Sequence, residues 1–158
     1  MKASRLIFTL LLASSVAVVQ LAAQQTKADQ KPIEEVKAKA EAGDAESEVE
    51  LGRRYDKGEG VVKDHAEAAK WYRKAAEQND VNAQFNLGMC YEEADSGTED
   101  WAEVYKWLSL AAMQGHEGAK KFMTAVLETK LMTPEQIAQG QKRVREFKPR
   151  QVRSHLYQ

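Results

Sequence analysis

The sequence predicts an all-α fold of stacked antiparallel helix pairs, and three observations lead to this prediction. The chain of 158 residues is rich in alanine and contains only 3 Pro and 9 Gly, a composition that favours helices over strands. Its apolar residues recur at helical spacing. It also repeats itself with a period of 36 residues, about the length of one helix pair with its turns.

Composition and charge exclude several classes of protein. The 23 Lys and Arg residues are balanced by 24 Asp and Glu residues, whereas a dedicated nucleic-acid binder usually carries a clear basic excess. With 43% hydrophobic residues and a mean hydropathy of −0.59, the chain fits neither a disordered protein nor a multi-span membrane protein. We therefore expect a single folded domain with no nucleic-acid partner.

The first 23 residues are predicted to be a secretory signal peptide. Lys2 and Arg5 precede an apolar run over residues 6–19, which is short for a membrane span and is followed by Ala22 and Ala23. We expect cleavage between about residues 22 and 26, a linker over 24–31, and a periplasmic or secreted protein with no stable membrane span after cleavage. An uncleaved N-terminal anchor is the alternative.

The repeat gives equivalent residues in two consecutive units, about 45–80 and 81–116. Within each unit the apolar residues follow i, i+4 and i+7 steps, so each unit is predicted to be an antiparallel helix pair. The positions that define the repeat in the first unit are Leu51, Gly52, Tyr55, Gly58, Gly60, Asp64, Trp71, Ala75 and Ala76. Those of the second unit are Leu87, Gly88, Tyr91, Asp100, Trp107, Ala111 and Ala112.

About seven helices are predicted in chain order. Gly58 and Gly60 can end a helix, Asp64 can cap the next one, and Thr133 with Gln136 forms a capping box around Pro134. The predicted spans are 32–42, 45–57, 64–78, 82–94, 100–114, 118–130 and 134–147, so partial units flank the two complete ones. Residues 148–158 are predicted to be a basic tail, which is expected to be loose from residue 149.

Two glycines inside helices indicate close helix packing. A helical glycine costs roughly 0.5–1 kcal/mol relative to alanine. Because Gly52 and Gly88 occupy the same register in the two units, we expect the partner helix to pack too closely there for a side chain. The small surfaces opposite them are predicted to be the pairs Ala75-Ala76 and Ala111-Ala112.

These residues closely resemble the Sel-one-like repeat, a relative of the tetratricopeptide repeat. The resemblance is carried by ELGRRYDKGEGVVKDHAEAAKWYRKAAEQND and NLGMCYEEADSGTEDWAEVYKWLSLAAMQGH, and extends more weakly over 32–147. The second unit departs in its loop, where Ala94, Ser96 and Gly97 replace the Gly58-x-Gly60-Val61 pattern. The resemblance implies a right-handed superhelix that acts as an adaptor, an interaction module with a protein or peptide partner.

The sequence contains no recognisable catalytic or metal-binding pattern. His65, His116 and His155 lack a metal-ligand spacing, and no nucleophile elbow, Walker loop or dinucleotide motif is present. We expect no catalysis, cofactor or metal. Cys90, the single cysteine, is predicted to be a buried or half-buried filler on a helix, and the acidic helix start with Glu46, Glu48 and Glu50 to be solvated.

Two other functions remain as alternatives. One is a secreted hydrolase acting on cell-wall-type substrates, an activity proposed for some secreted members of the family that the chain resembles. The other is a structural protein that assembles through the ends of the solenoid.

A partner is expected to contact the polar or exposed positions of the first helices. These candidates are Glu50, Arg53, Arg54, Asn86 and Met89. Trp101 is added because it lies outside the repeat pattern, opposite His65, which makes it the best candidate for an exposed aromatic contact, whereas Trp71 and Trp107 are predicted to be core residues. The alternative is that these positions form an ordinary solvated face.

Overall fold

Seven α-helices, with no strand, occur in the part of the chain that the computed structural model describes, residues 32–92 and 100–150. The helices are α1 Ile33–Glu41, α2 Ala45–Lys57, α3 His65–Glu77, α4 Val81–Glu92, α5 Trp101–Met113, α6 Glu117–Glu128 and α7 Pro134–Glu146. Every predicted helix is confirmed, with ends close to the expected ones. The predicted signal peptide and linker, the loop of the second unit and residues 151–158 lie outside the described residues.

The helices pack as a solenoid of pairs within one compact unit that starts at Ile33. α2 pairs with α3 and α4 with α5, while α3 also packs against α4 and α5 against α6. The all-α solenoid predicted from the repeat is therefore confirmed. No helix among the described residues is long and apolar enough to cross a membrane.

The turns that lead into α2, α4 and α6 share one design. Each combines a residue with positive φ and, directly after it, a side chain that caps the following helix by accepting a hydrogen bond from a backbone N–H. The residues with positive φ are Gly43, Asn79 and Gly115. The caps are Asp44, Asp80 and His116, which accept from Ser47 at 2.8 Å, Ala83 at 2.8 Å and Ala119 at 3.1 Å. The third cap is a histidine ring nitrogen. Aligning the units by their capping aspartates therefore identifies only the first two caps.

The second helix of each complete unit begins as predicted. Asp64 accepts a hydrogen bond from the Glu67 N–H at 2.9 Å, and Asp100 accepts one from the Glu103 N–H at 3.2 Å. α2 ends at Gly58, which adopts the left-handed conformation with φ of 73°. The capping box of Thr133 and Gln136 at the start of α7 is also present.

The core follows the repeat. Leu51 and Leu87 are fully buried, and Trp71 and Trp107 are buried as predicted. Neither indole N–H of these two tryptophans has an acceptor among the described residues. An ammonium group covers each ring instead, with Lys74 Nζ 3.6 Å from the Trp71 centroid and Lys106 Nζ 4.0 Å from that of Trp107.

Gly52 and Gly88 do mark close approaches between paired helices, but the opposing residues differ from the prediction. A Cβ at Gly52 would lie 2.8 Å from the ring of Tyr72, and one at Gly88 would lie 2.7 Å from Leu108 Cγ. The opposing surface is thus a large side chain, and the expected alanine pairs do not supply it. The glycine acts as a socket for a side chain of the second helix.

The last helix leaves the repeat pattern. α7 packs mainly on α5 rather than on α6, the helix that precedes it. Gly140 makes this possible, because a Cβ there would lie 2.6 Å from Tyr105 Cβ. In α6 the position equivalent to Gly88 is Thr124, which is exposed, so the third unit has a first helix with no second helix packed over that position.

Residues 147–150, here called the C-terminal strap, continue from α7 across α5 to α3. The ring of Phe147 meets that of Trp107 edge-on with centroids 5.5 Å apart. The Arg150 N–H donates to the Glu77 carbonyl oxygen at 2.6 Å, and its guanidinium donates to the Lys74 carbonyl oxygen at 3.5 Å. The prediction of a loose end from residue 149 is therefore wrong at Arg150, because this residue supplies donors to carbonyls at the end of α3.

Filling the socket of the second unit should destabilise the fold. We expect Gly88→Ala to lower the free energy of unfolding by about 1–3 kcal/mol, since the added methyl group forces Leu108 to move. Thr124→Ala is the matched control at the same register of α6, and it should change stability by less than about 0.5 kcal/mol. Urea unfolding followed by circular dichroism measures both, and equal stability of Gly88→Ala and the wild type would contradict the packing described.

Candidate partner-binding surface

Four of the six predicted partner-binding residues form equivalent pairs on the first helices. Glu50 and Arg53 lie on α2, and Asn86 and Met89 lie 36 residues further on at the same registers of α4. All four are partly exposed. Met89 also packs against the apolar cluster shared by α5 and α6, so it has one apolar side against the core. We call these four residues the first-helix face.

Two predicted members are not exposed. The side chain of Arg54 is only 5% exposed, and its Nε donates to Glu50 Oε1 at 2.8 Å, because a guanidinium at this depth requires a carboxylate partner. Trp101 is 8% exposed, and the expectation of an exposed aromatic contact is wrong. Its ring packs with Met123, Val126 and Met132 in the cluster under α6.

Ion pairs organise the first-helix face around Glu50. Arg53 donates two hydrogen bonds to the Glu50 carboxylate, each at 2.9 Å, and a third to Glu59 Oε2 at 2.5 Å. The Arg53 and Arg54 guanidinium groups lower the pKa of Glu50, and hydrogen bonding to Glu50 raises that of Arg53. Two arginines thus face two glutamates, and the cluster is electrically balanced and held in fixed geometry.

In each complete unit a buried polar residue of the first helix is hydrogen-bonded by a glutamine at the end of the second helix, a recurring pairing here called the polar ladder that the apolar repeat pattern does not contain. Gln78 Nε2 donates to Glu48 Oε2 at 2.7 Å, and 36 residues further on Gln114 Nε2 donates to Gln84 Oε1 at 2.8 Å. Gln84 is fully buried and also bonds Asn79 Oδ1 at 3.1 Å. The recurrence of an acidic or amide residue at 48 and 84, opposite glutamine at 78 and 114, was the available signal.

Glu48 corrects the expectation of a solvated acidic helix start. Its side chain is only 1% exposed, although Glu46 is exposed and Glu50 is partly exposed. Burial raises the pKa of Glu48, and the Arg150 guanidinium, whose Nη2 lies 3.9 Å from Glu48 Oε1, partly offsets this effect. Glu48 therefore carries an electrostatic cost that Gln84 avoids at the equivalent position.

The remaining titratable candidates lie apart from one another along the helices. His65 is exposed and its Nδ1 lies 2.8 Å from Asp56 Oδ1, while His116 is the cap of α6 and stacks on Phe85. Cys90 is half-buried against the core, as predicted. His155 lies outside the described residues. Within residues 32–92 and 100–150 no group of three or more His, Cys, Asp or Glu residues could hold a metal ion.

The caps, sockets and polar pairs that recur every 36 residues define the chain as a helix-pair repeat protein of the α-solenoid class. The repeat is the Sel1 repeat, whose family model matches residues 45–80 and 81–116. The resemblance seen in the sequence is thereby confirmed for both complete units, with the bounds expected from the period of 36.

Two known proteins from Escherichia coli are similar to parts of the chain. The secretory immunoglobulin A-binding protein EsiB of strain O6:H1 is 44% identical over 43 residues, which cover 27% of this chain and 9% of that protein. The crystal structure of a protective antigen present in uropathogenic strains, which displays an SLR fold, matches with a TM-score of 0.65 and 28% identity. That match covers 73% of this chain and 24% of the antigen, so the chain spans only a fraction of either relative.

Replacing the buried Glu48 and the ion-paired Glu50 one at a time by glutamine should have opposite effects on stability at neutral pH. Because the folded-state pKa of Glu48 is raised, its contribution to stability falls as the pH rises from the unfolded pKa through the folded one. Glu48→Gln should therefore raise the free energy of unfolding at neutral pH, by about 1 kcal/mol. The folded-state pKa of Glu50 is lowered, so Glu50→Gln should lower the free energy of unfolding at neutral pH by a comparable amount.

Urea unfolding at neutral pH and in mild acid measures both effects. Both differences should shrink as the pH falls through the respective folded-state pKa values, because the wild-type carboxylates then become protonated. A loss of stability in Glu48→Gln at neutral pH would show that the ionised carboxylate near Arg150 stabilises the fold.

Proposed function

We propose that this chain is an exported, non-catalytic module that binds a protein or peptide partner in the periplasm or outside the cell. The observation that carries the proposal is the first-helix face, where two consecutive first helices present partly exposed side chains at equivalent positions. Such a row presents an extended partner with the same arrangement of side chains on two consecutive helices. The name of the relative EsiB, a binding protein for secretory immunoglobulin A, is consistent with a protein partner.

The geometry of the first-helix face supports recognition by hydrogen bonds and shape. Arg53 is held by Glu50 and Glu59, so its guanidinium is oriented before a partner arrives, and little side-chain freedom is lost on binding. Asn86 offers an amide donor and acceptor at the next repeat, and Met89 an adaptable apolar contact. Since the ion pairs balance the charges of this face, selectivity comes from the positions of its donors and acceptors.

Truncating the first-helix face should weaken partner capture without unfolding the protein. We expect the double variant Arg53→Ala and Asn86→Ala to retain less than about a tenth of the partner that the wild-type protein 24–158 captures from an extract of its own cells. The partner is identified by mass spectrometry and its affinity is then measured with purified components. The control variant Lys70→Ala and Lys121→Ala removes two exposed side chains from other surfaces.

Circular dichroism checks that each variant remains folded. Equal affinity of the wild type and the first-helix variant for the identified partner would refute this face as the binding surface. A capture experiment that recovers no specific protein would refute the proposed function itself.

Export gives a second prediction. We expect the mature protein to be recovered outside the cytoplasm with its N-terminus between about residues 22 and 26, because an apolar run of this length after Lys2 and Arg5 is the pattern that signal peptidase processing requires. Cell fractionation with N-terminal sequencing measures this. A full-length protein that starts at Met1 and stays in the membrane fraction would indicate the uncleaved anchor instead.

A further inference from the structure

The departure of α7 from the repeat creates a pocket on the second helices. Its volume is about 380 Å³, within the range typical of ligand sites in proteins. It lies between α3, α5, the end of α7 and the C-terminal strap, and we call it the strap pocket. It is lined by Arg73, Glu77, Lys106, Trp107, Arg143, Glu146, Phe147, Lys148 and Arg150.

The lining of the strap pocket is dominated by positive charge. Five of its side chains are cationic and two, Glu77 and Glu146, are anionic. The cations come from four different elements, so no single helix pattern in the sequence brings them together. Phe147 and Trp107 supply the apolar part of the lining, with Lys106 Nζ lying 5.8 Å from the Phe147 centroid and 4.0 Å from that of Trp107.

Carboxylates neutralise only part of this charge. The Arg143 guanidinium bonds Asp100 at 2.8 Å and Glu103 at 3.0 Å, and Lys106 lies 3.5 Å from Glu103. The Arg143 contacts attach α7 to α5, and the Lys106 contact is an i, i+3 pair within α5, so both cations have carboxylate partners. In the described part of the chain, Arg73 and Lys148 have no such carboxylate partner, and Arg150 contacts backbone carbonyls of α3 with Glu48 at a longer distance.

Arg73, Lys148 and Arg150 are exposed and are not closely paired. Arg73 donates to the neutral hydroxyl of Tyr91, and Arg150 donates to backbone carbonyls with the nearest carboxylate oxygen, that of Glu48, 3.9 Å away. Among the described residues no carboxylate lies within 4.0 Å of Arg73 or Lys148. Three cationic groups around one concave pocket thus have donors available to an anionic ligand.

We propose that the strap pocket binds the acidic side chains of a protein partner, presented on a short segment rich in Asp and Glu. This inference rests on the proposed function and names the chemistry of one partner contact. The cations are spread around the rim instead of converging on one point, which suits several carboxylates on a peptide. Glu77 and Glu146 lie between them, and a peptide can place its carboxylates away from these two groups, whereas a uniformly anionic membrane surface cannot.

Binding of a fluorescein-labelled deca-glutamate peptide to the mature protein, followed by fluorescence anisotropy, tests the proposal. We expect saturable binding that weakens steeply as the salt concentration rises from about 50 mM to about 500 mM. The variant Arg73→Glu and Lys148→Glu should bind the peptide at least about tenfold more weakly. Both residues are exposed and neither anchors the strap, so the variant should remain folded by circular dichroism.

The matched control is Lys121→Glu with Lys130→Glu, which makes the same change in net charge at exposed positions that do not line the pocket. The control should bind the peptide with the affinity of the wild type, apart from a small general effect of net charge. Equal weakening in both variants would overturn the proposal, because attraction would then depend on net charge alone. Absence of peptide binding to the wild type would also overturn it.

Two further measurements distinguish binding of an acidic peptide from binding of other anions. Inorganic phosphate at about millimolar concentration should not displace the peptide, and vesicles containing phosphatidylserine should not bind the protein through Arg73 and Lys148. Displacement by phosphate or vesicle binding lost in the pocket variant would overturn the peptide assignment. If the identified partner binds the pocket variant normally but not the variant at Arg53 and Asn86, this inference fails while the proposed function stands.

Discussion

The socket formed by a helical glycine and a large side chain of the paired helix is the constraint on which the solenoid depends. Tyr72 enters the socket at Gly52 and Leu108 enters the one at Gly88, so the axial register of each helix pair is set by one contact. Glycine reduces the intrinsic stability of the helix, and the burial of an entire side chain against bare backbone offsets that loss. Because the same contact recurs after 36 residues, the second pair repeats the geometry of the first.

The polar ladder adds specificity to this apolar contact. Gln84 is buried and accepts from Gln114 through Oε1, so a shift of either helix would deprive this buried oxygen of its donor. In the first unit the same position is Glu48, and there the C-terminal strap places the Arg150 guanidinium nearby. The one buried carboxylate of the ladder thus lies where the strap brings a positive charge.

Local features of this chain could be predicted from its sequence, whereas long-range ones could not. Asp64, Asp100 and Thr133 cap their helices through neighbours three residues away, so a motif is sufficient to find them. Trp101 and Arg54 are buried by contacts that the repeat pattern does not contain. Trp101 belongs to an apolar cluster with residues of α6, and Arg54 is paired with Glu50 in a charged cluster. The return of α7 to α5 depends on Gly140, whose role emerges only when two distant helices are placed together.

The departure of α7 gives the two sides of the solenoid different chemistry. On the first helices, Glu50 and Glu59 balance the charges of Arg53 and Arg54, and the resulting face presents hydrogen-bonding groups in fixed positions. On the second helices, the strap brings Lys148 and Arg150 next to Arg73, while Asp100 and Glu103 are paired with Arg143 and attach α7. In this chain the two complete Sel1 repeats form the first of these surfaces, and the second depends on residues that follow them. The concentration of positive charge on one side therefore depends on the non-repeating C-terminal end, whereas the repeated units set the regular spacing of the first-helix face.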